Sequence, residues 1–201
     1  MNKSQIYLLR HGEVDRHYAG RYVGQVDAPL SDKGVEQARY WRHQLDVSSF
    51  SSIYSSDLTR SHKTAEIIAG NSLHSVKIIP SLKEISLGEW DGVLIDEIRA
   101  KFPVQWQERG NDMEGYRPPG GESFADLATR VIPTFRTIKD QIEQSPALIV
   151  GHAGVNRVIL CHVLGMSLSN ITRISQDYGN LNIIDLDRGF MKLKLMNFGP
   201  I

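Results

Sequence analysis

Cysteine is nearly missing from the 201-residue sequence: Cys161 stands alone. No internal disulfide can form, and a reducing, cytoplasmic setting is expected. Net charge is missing too, with 23 Lys+Arg against 23 Asp+Glu. That balance gives no bulk attraction to nucleic acid or to an anionic membrane, so neither is expected as a partner. No apolar run approaches the ~20 residues that span a bilayer. Met1 to Arg10 lacks the basic start and apolar stretch of a signal peptide. Repeats and low-complexity tracts are absent. What is present is a globular composition, 41% apolar and 23% charged. The length suits one domain over residues 1–201, and at roughly 150–200 residues folding hides about 70% of the unfolded surface.

Short apolar runs alternate with helical periodicity. This pattern predicts the α/β class, a three-layer α/β/α sandwich with a mostly parallel central sheet. Strands are expected at Ile6–Leu9, Ser52–Ser55, Val76–Ile79, Ala147–Val150, Leu181–Leu186 and Phe190–Leu195. Ser31 reads as the N-cap of a helix carrying Val35, Ala38, Trp41 and Leu45. Asp57 is expected to cap the helix of Ala65, Ile67 and Ile68, with Gly70 ending it. Glu122 to Gln144 shows one apolar face and predicts a long helix that Pro133 kinks or divides. Gly154 to Leu164 is also helical. Residues 86–121 break the rhythm with Gly, Pro and two of the three Trp, and read as an insertion that could form a lid.

Two of the expected strands end alike. Ile6-Tyr7-Leu8-Leu9 runs into Arg10-His11-Gly12, and Ala147-Leu148-Ile149-Val150 runs into Gly151-His152-Ala153-Gly154. Ligands of open α/β sheets bind beyond the carboxyl ends of the strands, so both imidazoles are expected at one substrate edge. Arg60 follows another strand, in the first turn of a helix, where a cation opposes the helix dipole and so suggests a task elsewhere. Arginine's planar fork suits phosphate oxygens. A carboxyl in Leu82 to Gly92 could protonate a leaving group.

These segments, Arg10-His11-Gly12-Glu13, Ser55 to Arg60, Glu84 with Gly88-Glu89-Trp90-Asp91-Gly92, and Gly151-His152, together resemble the histidine phosphatase superfamily, also called phosphoglycerate mutase-like. The likeness runs in order from Ile6 to about Leu195. Pro118 to Phe124 and the Gly24–Ser31 loop look most like its α-ribazole phosphatase and broad phosphatase branch. The resemblance implies a metal-independent phosphomonoesterase without a cofactor, acting on a small phosphate ester such as α-ribazole 5′-phosphate. It further implies His11 as nucleophile forming a phosphohistidine, and Arg10, Arg60 and His152 (more useful charged) as the clamp on the transferring oxygens. Glu84 is then implied as proton donor, with Glu89 or Glu13 as the alternatives; a carboxyl beside a phosphate dianion keeps its proton to higher pH. His17, Gly24, Gln25 and Ala153 are implied as further phosphate-binding positions. Val14 and His17 stand where relatives commonly have Thr or Ser and then Asn, so His17 either replaces the amide or turns outward.

Two other functions are weighed. A phosphoglycerate mutase would call for an adjacent Arg pair in the lid, and the sequence has no Arg-Arg dipeptide. A non-catalytic phosphate-recognition module would lose the nucleophile, which is intact. Of the other residues, Trp90 and Cys161 read as packing. His43, His62, His74 and His162 read as surface or helix residues, with no metal-site spacing among them. A second copy of the chain is the one protein partner left open.

Overall fold

The computed structural model describes residues 4–72, 75–142, 144–187 and 189–200; His74 lies outside them. In chain order the elements are β1 (Gln5–Arg10), α1 (Asp32–Gln44), β2 (Ser52–Ser55), α2 (Thr59–Ala69), β3 (Val76–Ile78), α3 (Ile95–Lys101), α4 (Pro103–Asn111), α5 (Phe124–Asp140), β4 (Ala147–Gly151), α6 (Ala153–Leu164), β5 (Leu181–Asp187) and β6 (Phe190–Phe198).

One sheet results, in the order β3-β2-β4-β1-β5-β6. The first four strands are parallel; β5 runs antiparallel to β1 and β6 antiparallel to β5. Strand β4 is buried along its whole length, and its side chains divide between two cores. Ala147 and Ile149, with Ile6 and Leu8 of β1, pack under α5 and α6. Leu148 and Val150, with Leu9, pack under α1 and α2. Period-two alternation with both faces apolar is what a sheet covered by helices on each side requires. Leu127, Val131 and Phe135 of α5 are wholly buried, each contributing about 1.5–3 kcal/mol of transfer free energy.

Ser31 caps α1, its Oγ accepting from Gly34 N at 3.1 Å. Asp57 does not cap α2: Leu58 occupies that place without a side-chain cap bond, and the Asp57 carboxylate pairs instead with Lys83 at 2.7 Å. Pro133 does not divide α5, which is one helix from Phe124 to Asp140. The proline faces solvent, and Thr129, whose carbonyl loses its N–H partner, is also exposed. The helix begins at Ser123 with a reciprocal capping box to Asp126. Residues 86–121 hold α3, α4 and a 3₁₀ turn at Gly88–Trp90. Trp90, 2% exposed, stacks between Tyr22 and Tyr116 with centroids at 6.4 and 5.9 Å, which roots this segment in the α5/α6 core.

Candidate functional site

Strand register sets the position of the two imidazoles. In the β1/β4 ladder Arg10 lies opposite Gly151, so His11 and His152 leave adjacent parallel strands at the same level. His11 N donates to Gly151 O at 3.1 Å, and the rings sit with centroids 5.0 Å apart. The turn after β1 is glycine for a steric reason. A Cβ on Gly12 would meet the Gly34 carbonyl oxygen at 2.3 Å, because the start of α1 passes directly over it.

His11 is 3% exposed and both of its ring nitrogens are engaged. Nδ1 lies 2.7 Å from Gly12 O, an acceptor only, so Nδ1 carries the proton. Nε2 accepts from Arg60 Nε at 3.2 Å, which requires a lone pair there. Burial, then Arg60, then Arg10, push its pKa well below the ordinary imidazole value. The ring is therefore neutral with Nε2 as the free base, the form a nucleophilic imidazole needs.

Arg60, in the first turn of α2, is 1% exposed and is oriented by the carbonyls of Gly24 and Val26, each 2.6 Å away. Arg10 donates to Gln176 O at 2.5 Å and lies 3.6 Å above the Tyr178 ring, whose centroid is 5.5 Å from that of His11. His152 is wholly buried; its Nε2 meets Ser56 Oγ at 2.7 Å, just past the end of β2. Burial, followed by Arg60 and His11, holds its pKa well down, so in this state it is neutral, contrary to the charged form expected. Its Nδ1 and Arg10 Nε are buried without a hydrogen-bond partner, and a tetrahedral anion offers acceptors to such atoms.

Glu84, 9% exposed, holds the opposite wall. Its carboxylate accepts from Ile85 N at 2.9 Å and from Gly154 N at 3.1 and 3.2 Å, filling the start of α6 where no side chain of the helix's own cap does so. Gly154 has no room for a side chain, since its Cβ would lie 2.5 Å from Glu84 Oε1. Behind Glu84, Arg130 donates to the carbonyls of Ser81, Lys83 and Glu84 at 2.9, 2.7 and 2.9 Å. The same guanidinium forks onto Glu122 at 2.8 Å twice, and Glu122 accepts from Ser86 N. The Pro118–Phe124 motif thus clamps the loop that presents Glu84.

These groups border a cavity of about 180 Å³ whose lining includes Arg10, His11, Gly24, Arg60, Glu84 and Ala153. His152 lies immediately behind, against His11. Gln25 stands outside the lining and donates to Glu84 O at 2.8 Å. His17 is exposed, its ring edge-on to Tyr18, and also lies outside the lining. Glu89 is exposed, and Glu13 pairs with Lys33 at 3.3 Å, so among the described residues Glu84 is the only carboxylate lining the cavity. Sequence reading did not single out Ser56, Tyr178 or Arg130. Ser56 lay inside a quoted motif, whereas Tyr178 comes from the irregular segment before β5 and carries no local signal.

Neutral burial of two histidines has a thermodynamic consequence. Their folded pKa values lie below the unfolded one, so the unfolded chain binds protons that the folded chain refuses. Their stabilising contribution is complete above about pH 6.5 and is lost as pH falls towards the depressed folded values. Stability from urea melts in phosphate-free buffer is expected to drop between pH 7 and pH 5. His152→Gln should flatten that slope by up to about 1.4 kcal/mol per pH unit; equal slopes in both proteins would contradict neutral burial.

Sheet, covering helices and convergent imidazoles define a three-layer α/β protein with a cationic, imidazole-bearing cavity at the carboxyl ends of its central strands. The chain belongs to the histidine phosphatase superfamily (branch 1), which it matches over residues 6–199. It is 27% identical to an adenosylcobalamin/alpha-ribazole phosphatase of Escherichia coli K12, over 96% of this chain and 95% of that protein. It is 29% identical to phosphoserine phosphatase 1 of Hydrogenobacter thermophilus, over 91% and 87%. The crystal structure of the alpha-ribazole phosphatase from Shigella flexneri superposes with a TM-score of 0.88 at 28% identity, covering 96% of each chain. Among the described residues no helix is long and apolar enough to cross a membrane.

Proposed function

We propose that the protein is a cytoplasmic, metal-independent phosphomonoesterase that works through a phosphohistidine on His11. The observation that carries this reading is the state of His11: neutral, its Nδ1 proton on Gly12 O, and its Nε2 lone pair directed at Arg60. When an ester enters, Arg60 exchanges that lone pair for a phosphoryl oxygen, and Nε2 attacks phosphorus opposite the leaving oxygen. The N–P bond forms as the P–O bond to the alcohol breaks, and Glu84 gives its proton to the departing oxygen. Arg10, Arg60 and His152 Nδ1 hold the non-bridging oxygens; against their bound anion His152 can take up the proton it lacks in the free site. Water then attacks phosphorus from the vacated side and gives its proton to Glu84, and inorganic phosphate leaves with the imidazole restored. Fixed guanidinium charges placed where the transition state is negative do the electrostatic work. A cavity with several arginines and one carboxylate offers a divalent cation few donors and much repulsion.

α-Ribazole 5′-phosphate, known from the names of relatives, is one ester to test, together with phosphoserine and phosphoglycerate. The deciding experiment is phosphate release from p-nitrophenyl phosphate in EDTA, with rapid quenching to trap phosphoenzyme. Undiminished turnover and an acid-labile, base-stable label on the His11 peptide are expected. No turnover of any ester with tight phosphopeptide binding would favour a recognition module. Rapid isomerisation of 3-phosphoglycerate with little free phosphate would favour a mutase.

A further inference from the structure

Arg10 is held in the site without a countercharge in contact. Its guanidinium donates to Gln176 O at 2.5 Å and lies 3.6 Å from the centroid of the Tyr178 ring. Charged groups drawn out of water are normally paired with an opposite charge. Among the described residues Arg99, Arg117 and Arg130 each form such a pair, and Arg10 does not; Glu84 and Asp177 act on it through space. A separation of 3.6 Å is the van der Waals contact of two flat groups, so the guanidinium lies flat on the ring. In that pose its N–H bonds point sideways, along the plane. One meets Gln176 O, and Nε–H is buried without a hydrogen-bond partner.

The ring is itself fixed from several sides. Tyr178 lies in an irregular stretch before β5, where no helix or strand ladder sets its place. Its carbonyl accepts from Gln37 Nε2 at 3.0 Å. The next residue, Gly179, donates its N–H to His11 O at 3.0 Å and accepts from Trp41 Nε1 at 2.5 Å. Beneath the stretch two amide side chains face each other in the core. Asn182 Nδ2 donates to Gln176 Oε1 at 2.8 Å, and Gln176 Nε2 donates to Asn182 Oδ1 at 2.9 Å. Both residues are buried, where an amide is costly unless its groups are met. Asn182 also donates to Leu8 O at 3.0 Å and accepts from Asn197 N at 2.9 Å, and Gln176 donates to Ser175 O at 2.7 Å. Leu8 lies two residues before Arg10 on β1, so the bonds close a circuit from Leu8 through Asn182 and Gln176 to the Arg10 guanidinium. The reaction steps described above use none of these amides.

We propose that Tyr178 is the positioning residue of Arg10: its ring face, with Gln176 O at the edge, fixes the guanidinium plane and leaves the charge and the remaining N–H groups to the phosphoryl oxygens. This rests on the phosphatase reading above, in which Arg10 holds those oxygens. A carboxylate in place of the ring would hold Arg10 as firmly, but it would compete with phosphate for the same N–H fork. A π face attracts the cation and takes up none of its donors. Among the described residues the Tyr178 hydroxyl has no hydrogen-bond partner, so the face is the working surface. The Gln176–Asn182 pair serves by keeping Gln176 O, and the stretch that carries the ring, in register with β1.

The test measures kcat and KM for p-nitrophenyl phosphate, and the inhibition constant of orthovanadate, in Tyr178→Phe and Tyr178→Leu. Phenylalanine keeps the face, so both quantities are expected to stay within about twofold of the unmodified protein. Leucine fills the space without the face, and should lower kcat/KM and weaken vanadate roughly tenfold, within the span of cation–π contacts from exposed to desolvated sites. In an Arg10→Met background the same leucine substitution should cost less than about twofold, because the group it acts through is gone. Three results would overturn the proposal. One is an equal loss in the phenylalanine and leucine variants, which assigns the effect to the hydroxyl. Another is a leucine variant with undiminished activity. The third is a full tenfold loss (about that size) in the Arg10→Met background, the mark of a loosened stretch acting independently of Arg10. If Arg10→Met turns over too slowly to assay, calorimetric binding of orthophosphate completes the same cycle. If no ester is hydrolysed by the unmodified protein, the phosphatase reading has failed, and orthophosphate binding to the four proteins decides the Arg10–Tyr178 pair by the same ratios.

Discussion

Replacing His11 with alanine is expected to lower kcat for p-nitrophenyl phosphate by roughly 10⁴–10⁶-fold, the scale on which enzymes lose rate when a covalent nucleophile is removed. The expectation follows from the geometry of Nε2. It is the only ring nitrogen of the pair with its lone pair directed at a cavity guanidinium; His152 turns Nε2 to Ser56 instead. The fold should survive, because Arg60 keeps its bonds to Gly24 and Val26 and Gly12 keeps Thr64. Near-ultraviolet circular dichroism and inorganic phosphate binding should thus resemble those of the unmodified protein while turnover and label trapping vanish. A His11→Ala protein within tenfold of the original rate, still forming phosphoenzyme, would move the nucleophile elsewhere.

The parts of the molecule legible in the sequence are those encoded over short distances. The unbroken apolar run Ala147-Leu148-Ile149-Val150 had to be a doubly covered strand, and a histidine two residues past it had to reach the sheet's carboxyl edge. Ser31 could be read as a cap because its acceptor, Gly34 N, lies three residues on. Asp57 failed as a cap for the opposite reason: its partner is Lys83, across the sheet edge, and nothing local reports that competition. Pro133 failed as a helix breaker because its cost depends on which face it occupies, and the outer face tolerates an unpaired carbonyl.

Within the site, Arg10, His11, Arg60, Glu84 and His152 could be named because each lies in a family-like motif at or beyond the end of a strand, yet their supports could not. Tyr178 under Arg10, Ser56 against His152 and Arg130 beneath the Glu84 loop are set by long-range packing. His17 illustrates the limit from the other side. Its position in the first loop placed it near phosphate, but Asp15 caps a short 3₁₀ turn at Arg16–Tyr18 that carries the ring outward.

The second large effect concerns Glu84, and it should depend on the leaving group. Glutamine is isosteric and its amide oxygen can still accept from Ile85 N and Gly154 N, so the cap on α6 and the loop held by Arg130 should persist. What is lost is proton transfer, which typically contributes 10²–10⁴-fold. For an alkyl ester such as O-phosphoserine the departing alkoxide needs a proton as the P–O bond breaks, so Glu84→Gln should reduce kcat by about that factor from the first step. For p-nitrophenyl phosphate the phenolate leaves unaided, and His11 should still be phosphorylated at close to the normal rate. The second step then lacks its base, because water must lose a proton to attack the phosphohistidine. Stopped-flow traces of Glu84→Gln should show a burst of about one equivalent of nitrophenolate followed by slow turnover, with phosphoenzyme accumulating during the slow phase. Equal, near-normal rates on alkyl and aryl esters would instead show that the proton travels by another route, and with Glu13 and Glu89 both outside the cavity no described carboxylate remains to supply it.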